Sequence, residues 1–285
     1  METVAMKNIS IPEIRILAED LKFPEGPAFA PDGSLWLVEM KGESLVNFRQ
    51  GKIERFHVGG APNGIAIDAS GMILYCDSFF GEVRMFNPIT KEVSVLINQV
   101  KGEPLNKPND LVFDKAGNLV FTCPGESRKE PGGYACVLMK DGTVKKITTG
   151  KYFPNGIAFT ANGKYLIMAE TYKHRLWKGR WDDESGFWSE EEPWCTIGGP
   201  EGPGGPDGMA FDEEGNLYVA VYGTGSVRVA DIDGNVFRHI HLPSLNPTNC
   251  AFDTRGDLGL VVTEAGEGKL YSIDTGKKGQ MLFAK

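Results

Sequence analysis

Six prolines in the chain are each followed by a polar residue, giving Pro24-Glu25, Pro62-Asn63, Pro108-Asn109, Pro154-Asn155, Pro206-Asp207 and Pro247-Thr248. If the six places are equivalent in the fold, two carboxylates and three carboxamides converge on one axis. Hard divalent cations take such donors: anionic oxygens that offset charge, neutral amide oxygens, and water. Glu25 and Asp207 together balance a 2+ ion, and Asn155 and Asn109 add neutral oxygens. Without an ion, two carboxylates in a narrow channel repel, and one tends to keep its proton. No His or Cys stands in the set, which favours calcium, magnesium or manganese over zinc; calcium is the first expectation, with magnesium, manganese, zinc or iron as the other ions. Pro-Asn-Gly and Pro-Asp-Gly are also ordinary turn formers, whose polar side chain closes an Asx-turn. That reading covers the asparagines and Asp207 but not Glu25, since Glu is not a favoured turn residue.

The elements that must carry these residues repeat with them. Phe23 opens FPEGPAFAPDGSLWLVE, Ala61 opens APNGIAIDASGMILYCD, and Lys107 opens KPNDLVFDKAGNLVFTC. Phe153 opens FPNGIAFTANGKYLIMA, Gly205 opens GPDGMAFDEEGNLYVAV, and Asn246 opens NPTNCAFDTRGDLGLVV. Successive prolines are 38, 46, 46, 52 and 41 residues apart. Within each unit an apolar run meets a short turn, then a second apolar run. Glycine in these turns (Gly33, Gly71, Gly117, Gly163, Gly215) supplies the positive φ of a tight hairpin. Further strand candidates follow, such as Glu82 to Phe86 and Val93 to Leu96. About four short strands per unit of roughly 45 residues predicts a β-propeller blade. The expected fold is all-β, one six-bladed β-propeller domain over 1–285 with a lead-in over 1–15. A β-sandwich is the runner-up, but it does not call for one motif six times. The stretch 181–205 reads as an extended edge hairpin or surface loop, and its Glu190-Glu191-Glu192 run as a solvated face.

At these residues the sequence resembles the regucalcin/gluconolactonase family of six-bladed propellers, from about Ile16 to Phe283. The motifs are Phe23-Pro24-Glu25-Gly26-Pro27, Lys107-Pro108-Asn109-Asp110, Phe153-Pro154-Asn155-Gly156, Pro206-Asp207-Gly208-Met209-Ala210, and the run Ala169 to Trp177. The resemblance implies a divalent ion on Glu25, Asn155 and Asp207, with Asn109 near both ion and substrate. It also implies hydrolysis of sugar lactones, or of organophosphates in similar propellers. Animal members carry an Arg where this chain has Lys107, which keeps the charge but loses the planar donor fork. Such an ion polarises a lactone carbonyl, and Asp207 is the candidate general base. Lys107, Asn109 and Asn63 are the candidate substrate-binding residues, and together with Asn249 they favour a sugar. The expected partner is a small-molecule lactone. The alternatives are a phosphotriester or non-sugar lactone hydrolase on the same site, or a non-enzymatic calcium-binding propeller.

Other chemistries lack their residues. There is no HExxH, Walker A or GxSxG motif. His239 and His241 alternate on a probable outer strand, where surface or packing roles suit them. A balance of 30 basic against 38 acidic residues, net charge -8, argues against nucleic acid as a partner. No apolar run approaches the roughly 18 residues of a spanning helix. The N-terminal stretch lacks an uninterrupted apolar segment, so no secretory signal is expected, and Asn8-Ile9-Ser10 reads as a chance sequon. Five scattered cysteines without a CxxC pair suit a reduced cytoplasmic chain. Oligomeric state is left open by the sequence.

Overall fold

The computed structural model describes residues 12–284, so the sequon and the signal-peptide reading at the N-terminus lie outside the described residues. Six four-stranded antiparallel sheets form the blades. The first runs outward from Pro24–Phe29 through Leu35–Glu39 and Ser44–Arg49 to Lys52–His57. The next four begin at Pro62–Ile67, Leu111–Phe113, Pro154–Phe159 and Gly205–Phe211, each followed outward by three strands in chain order. In the sixth, Pro247–Phe252, Leu260–Glu264 and Lys269–Ile273 are completed by Ile14–Ala18 from the other end of the chain. That strand pairs Ile14 with Ile273 and Ala18 with Leu270, so the ring is closed by hydrogen bonds between the chain ends. It begins inside the lead-in expected to reach residue 15. The innermost strands contact one another in sequence, the first also meeting the sixth, around a central channel.

The second strand of each blade shows why the blades stack. Leu35–Glu39, Ile73–Asp77, Leu119–Cys123 and Leu260–Glu264 are buried at every position, because both faces of the sheet are covered by neighbouring blades. Such strands read as continuous apolar runs and not as an alternation. The outermost strand Lys52–His57 is exposed except at Ile53 and Phe56, which are half-buried. The buried side chains fall into clusters that bridge adjacent blades. Cys76 and Val83 of the second meet Leu119 and Phe121 of the third, and Ile167 of the fourth meets Val219 of the fifth. The hairpin between the first two strands of every blade lies at the end of the channel opposite the prolines. Gly33, Gly71, Gly117, Gly163 and Gly215 there have φ between 71° and 86°, as the turn chemistry predicts. The stretch from Trp181 begins as the expected edge hairpin, Arg175–Asp182 against Phe187–Thr196.

The inner strands approach too closely for side chains at one level. A Cβ on Gly156 would sit 2.2 Å from the Asp207 backbone oxygen and 2.9 Å from the Gly208 Cα. Neither obstacle can swing away. Gly156→Ala is therefore expected to cost about 2–3 kcal/mol by overpacking, read as a lower denaturant midpoint at unchanged m-value. A midpoint within error of the parent would contradict this packing.

Candidate functional site

The six proline motifs lie together at one end of the channel. In five blades the register slips just after the proline, between Glu25 and Ala28, Pro62 and Ile65, Pro154 and Ile157, Pro206 and Met209, and Pro247 and Asn249. A bulge of this kind takes a residue out of the ladder and re-aims its side chain. Asn63, Asn155, Asp207 and Thr248, each the residue after its proline, lie within the slip; in the first blade Glu25 still pairs with Val38 and the slip begins at Gly26.

A second repeated device fixes the connector ahead of each motif. The carboxylate ending the second strand accepts a backbone N–H from that connector in four blades. Lys22 N donates to Glu39 (3.2 Å), Ala61 N to Asp77 (3.1 Å), Tyr152 N to Glu170 (2.7 Å) and Asn246 N to Glu264 (2.9 Å). All four acids are buried. Glu39 is also bridged by Arg55, and Glu170 by Arg175 and the Trp177 indole N–H. These carboxylates hold backbone in place; Asp77 keeps one oxygen, Oδ2, without a hydrogen-bond partner among the described residues, with Arg84 Nη1 at 3.5 Å.

Glu25, Asn63, Asn155 and Asp207 are buried at the ring, and Asn109 is half-buried. Thr248, at the equivalent place in the sixth blade, turns away: its hydroxyl donates to the Pro24 carbonyl at 2.9 Å and stitches the sixth blade to the first. Asn155 is oriented by Thr171, whose Oγ1 accepts from Nδ2 at 3.2 Å and itself donates to the Pro206 carbonyl at 2.8 Å. Glu25 accepts the N–H of Gly26 at 2.8 Å. Lys107 stands exposed at the mouth, paired with Glu126. Phe79 and Phe80, 5.2 Å apart edge to face, are exposed on a loop at the same end.

A third carboxyl, Asp110, joins the two expected from the sequence. It accepts the N–H of Leu111 at 2.9 Å and that of Ile157, in the next blade, at 3.3 Å. On its other side Gly64 packs so closely that a Cβ there would meet Asp110 Oδ1 at 2.3 Å. The signal for Asp110 was in the repeat. The second place after the proline is glycine at Gly26, Gly64, Gly156 and Gly208, and only the third and sixth blades put a side chain there, Asp110 and Asn249.

Burial raises the proton affinity of each of these three acids. Burial pushes Glu25 up to about 8; the Gly26 N–H bond opposes the rise, the Asp110 charge adds to it, and Asn249 opposes it. Burial raises Asp207 well above the usual carboxylate range, and the charges of Glu25 and Asp110 add to the effect. Burial likewise lifts Asp110 to about 7. Near neutral pH the ring thus lacks a counter-charge, and a hard cation with its neutral amide neighbours fits that need. Among the described residues no three His, Cys, Asp or Glu side chains form a metal-binding cluster by themselves, so a cation here depends on amide oxygens. Glu25, Asn155, Asp207 and Asn109 are the residues that would hold it.

The sign of the effect on stability follows. Each acid binds its proton more tightly folded than unfolded, so the folded state holds more protons between about pH 4.5 and 8. Unfolding free energy then falls as pH rises through that window. For chelator-treated protein the expected loss is a few kcal/mol from Glu25 alone, or a Tm about 5–10 °C lower at pH 8 than at pH 5.5. Millimolar calcium is expected to abolish most of the drop. A chelated Tm that rises over this window would contradict the crowded ring.

The remaining sequence expectations fall into place around this centre. Tyr222 lies near Asp207, whose charge adds to the effect of burial in raising the phenol. His239 and His241 sit on Val236–His241, the outermost strand of the fifth blade, with ring centroids 6.3 Å apart and far from the ring. The five cysteines are buried and free. No helix among the described residues is long and apolar enough to cross a membrane.

Comparison with known proteins gives the chain's family and fold relatives. Residues 23–266 match the family described as SMP-30/Gluconolactonase/LRE-like region. The chain is 27% identical to a gluconolactonase of Zymomonas mobilis, over 88% of this chain and 79% of that one. It is 29% identical to the diisopropyl-fluorophosphatase of Loligo vulgaris, over 94% of both. The fold superposes on a calcium-binding protein, regucalcin, from Agrobacterium tumefaciens with a TM-score of 0.83, at 22% identity over 96% of each chain.

Proposed function

The chain belongs to the SMP-30/Gluconolactonase/LRE-like family, and on that footing we propose that it hydrolyses a sugar lactone with the help of one divalent cation. The observation that carries this reading is the burial of Glu25 and Asp207 together, both pushed upward, beside the amide of Asn155. The cation, when bound, supplies Lewis acidity and positive charge for the oxyanion of the tetrahedral intermediate.

The side chains divide the rest of the work. Asp207 accepts a proton from the attacking water as the new C–O bond forms, and returns it to the ring oxygen as the lactone C–O bond breaks. The product is the open hydroxy acid. Glu25 contributes charge to the cation site and takes no proton in the cycle. Asn155, steered by Thr171, presents its amide oxygen. Lys107, Asn109 and Asn63 hydrogen-bond the sugar hydroxyls at the mouth, and they set which lactone fits.

Hydrolysis of a phosphorus ester is the second reading. It is favoured by the exposed Phe79–Phe80 pair, which offers an apolar wall, and by the similarity to the fluorophosphatase. A pH-indicator assay of aldonolactones, unsubstituted lactones and a phosphotriester separates the two, using chelator-stripped protein with each divalent ion returned. A kcat/KM at least about tenfold higher for an aldonolactone than for the unsubstituted ring is expected, from the hydrogen bonds a sugar adds. Preference for the phosphotriester would replace the first reading with the second. No turnover of any of them with any ion would remove both.

A further inference from the structure

The far half of the channel holds a chamber of about 470 Å³, on the other side of Asp110 and Asn249 from the proline ring. Its width comes from one place in the repeat, the fourth after the proline. Five blades carry alanine there (Ala28, Ala66, Ala158, Ala210 and Ala251) and the third carries Val112. Ala210, Ala251 and Val112 keep partial exposure although they lie on innermost strands, because they border this chamber. The chain's C-terminal stretch borders the lower end on one side. Gln280 N donates to the Phe211 carbonyl at 3.1 Å, and Phe283 packs on Phe159 with centroids 6.4 Å apart.

One polar group in this wall is left over. Gln280, 7% exposed, lines the chamber, and its Nε2 donates to the Phe159 carbonyl at 2.7 Å. That bond fixes the amide, and its Oε1 has no hydrogen-bond partner among the described residues. A buried acceptor left unpaired costs about 1–3 kcal/mol, so a partner is expected. Asp110 does not compete for one, since both its oxygens already accept backbone N–H groups. The chamber's size and apolar walls with few polar groups are those of a small-molecule site. Each innermost strand pairs on one side only, so some unpaired backbone also faces the channel. That suits an amphiphile better than a hydrocarbon.

From these observations we propose that the chamber is a second binding site, for an uncharged, largely apolar ring compound whose O–H or N–H donates to Gln280 Oε1. It is separate from the hydrolytic centre and does not depend on the reading given for it. The ligand enters at the hairpin end, and its apolar body lies against the alanine layer.

2-Naphthol is the probe, with 2-methoxynaphthalene as the matched compound that lacks the donor, each followed by its own fluorescence with full-length protein. The expected Kd for naphthol is on the order of 0.1–1 mM. Ala251→Leu, which fills the chamber, is expected to weaken both compounds at least about tenfold. Gln280→Leu is expected to weaken naphthol about 3–10-fold and leave the methyl ether unchanged. Should Gln280→Leu fail to fold, the naphthol-to-ether ratio in the parent protein reads the same bond, at about 3–10 in favour of naphthol. Absence of saturable binding would overturn the proposal and leave a chamber holding water only. Binding indifferent to Ala251→Leu would overturn it too, by placing the probe elsewhere, such as the Phe79–Phe80 mouth. Equal binding of both compounds would remove Gln280 as the recognising group.

Discussion

Asp207→Asn, saturated with divalent ion, is expected to retain bound ion yet lose about 10²–10⁴ in kcat for lactone hydrolysis. The substitution keeps size and one oxygen donor and deletes the group that carries the proton from water to the leaving alcohol. Mass action restores ion occupancy; it cannot restore a base. The pH profile of the parent gives an independent check. Burial and the charges of Glu25 and Asp110 raise the Asp207 carboxyl, whereas a bound cation pulls it back down. Activity should therefore fall as pH drops through a value that moves lower as ion concentration rises. Spontaneous lactone opening must be subtracted at each pH. Recovery of full kcat in Asp207→Asn at saturating ion would take Asp207 out of the base role.

Glu25→Gln is expected to behave in the opposite manner. Glu25 is buried and accepts the Gly26 N–H, and its part is to offset the cation's charge. Removing that charge should weaken ion binding on the order of 10²-fold or more. Lactonase kcat should return once the ion is supplied in excess. Asn63→Ala, beside it in the ring, should change ion affinity far less. Calorimetric titration of the chelator-stripped variants separates the cases, and parental affinity in Glu25→Gln would exclude it as a ligand.

Much of this centre was legible in the sequence because a propeller repeats its geometry. Once one Pro motif recurs six times, the residue after each falls at an equivalent place in its blade, which points to Glu25, Asn63, Asn109, Asn155 and Asp207. What failed was the assumption that every place keeps its role. Thr248 occupies the same position but its short hydroxyl reaches the neighbouring Pro24 carbonyl, so it serves ring closure. Asp110 stands at the second place after its proline, where four of the six blades carry glycine. Its clue was a departure from glycine where inner strands nearly touch, a constraint that becomes visible only when Gly64 is seen against its side chain. The buried acids Glu39, Asp77, Glu170 and Glu264 sit where a reader would look for catalysis. Only their backbone partners reveal that they brace the connectors. The lower chamber was illegible because alanine at an inner strand carries no signal until the opposite wall is known.

In the proposed function, one divalent cation at the ring enables lactone hydrolysis. The most direct measurement of this is initial lactonase rate against ion occupancy, with chelator-stripped protein titrated with calcium and bound ion counted in the same samples. The expected rate is near the uncatalysed background without ion, rises in proportion to occupancy and reaches its plateau at one ion per chain. Full activity in the stripped protein, or a plateau that ignores occupancy, would contradict it.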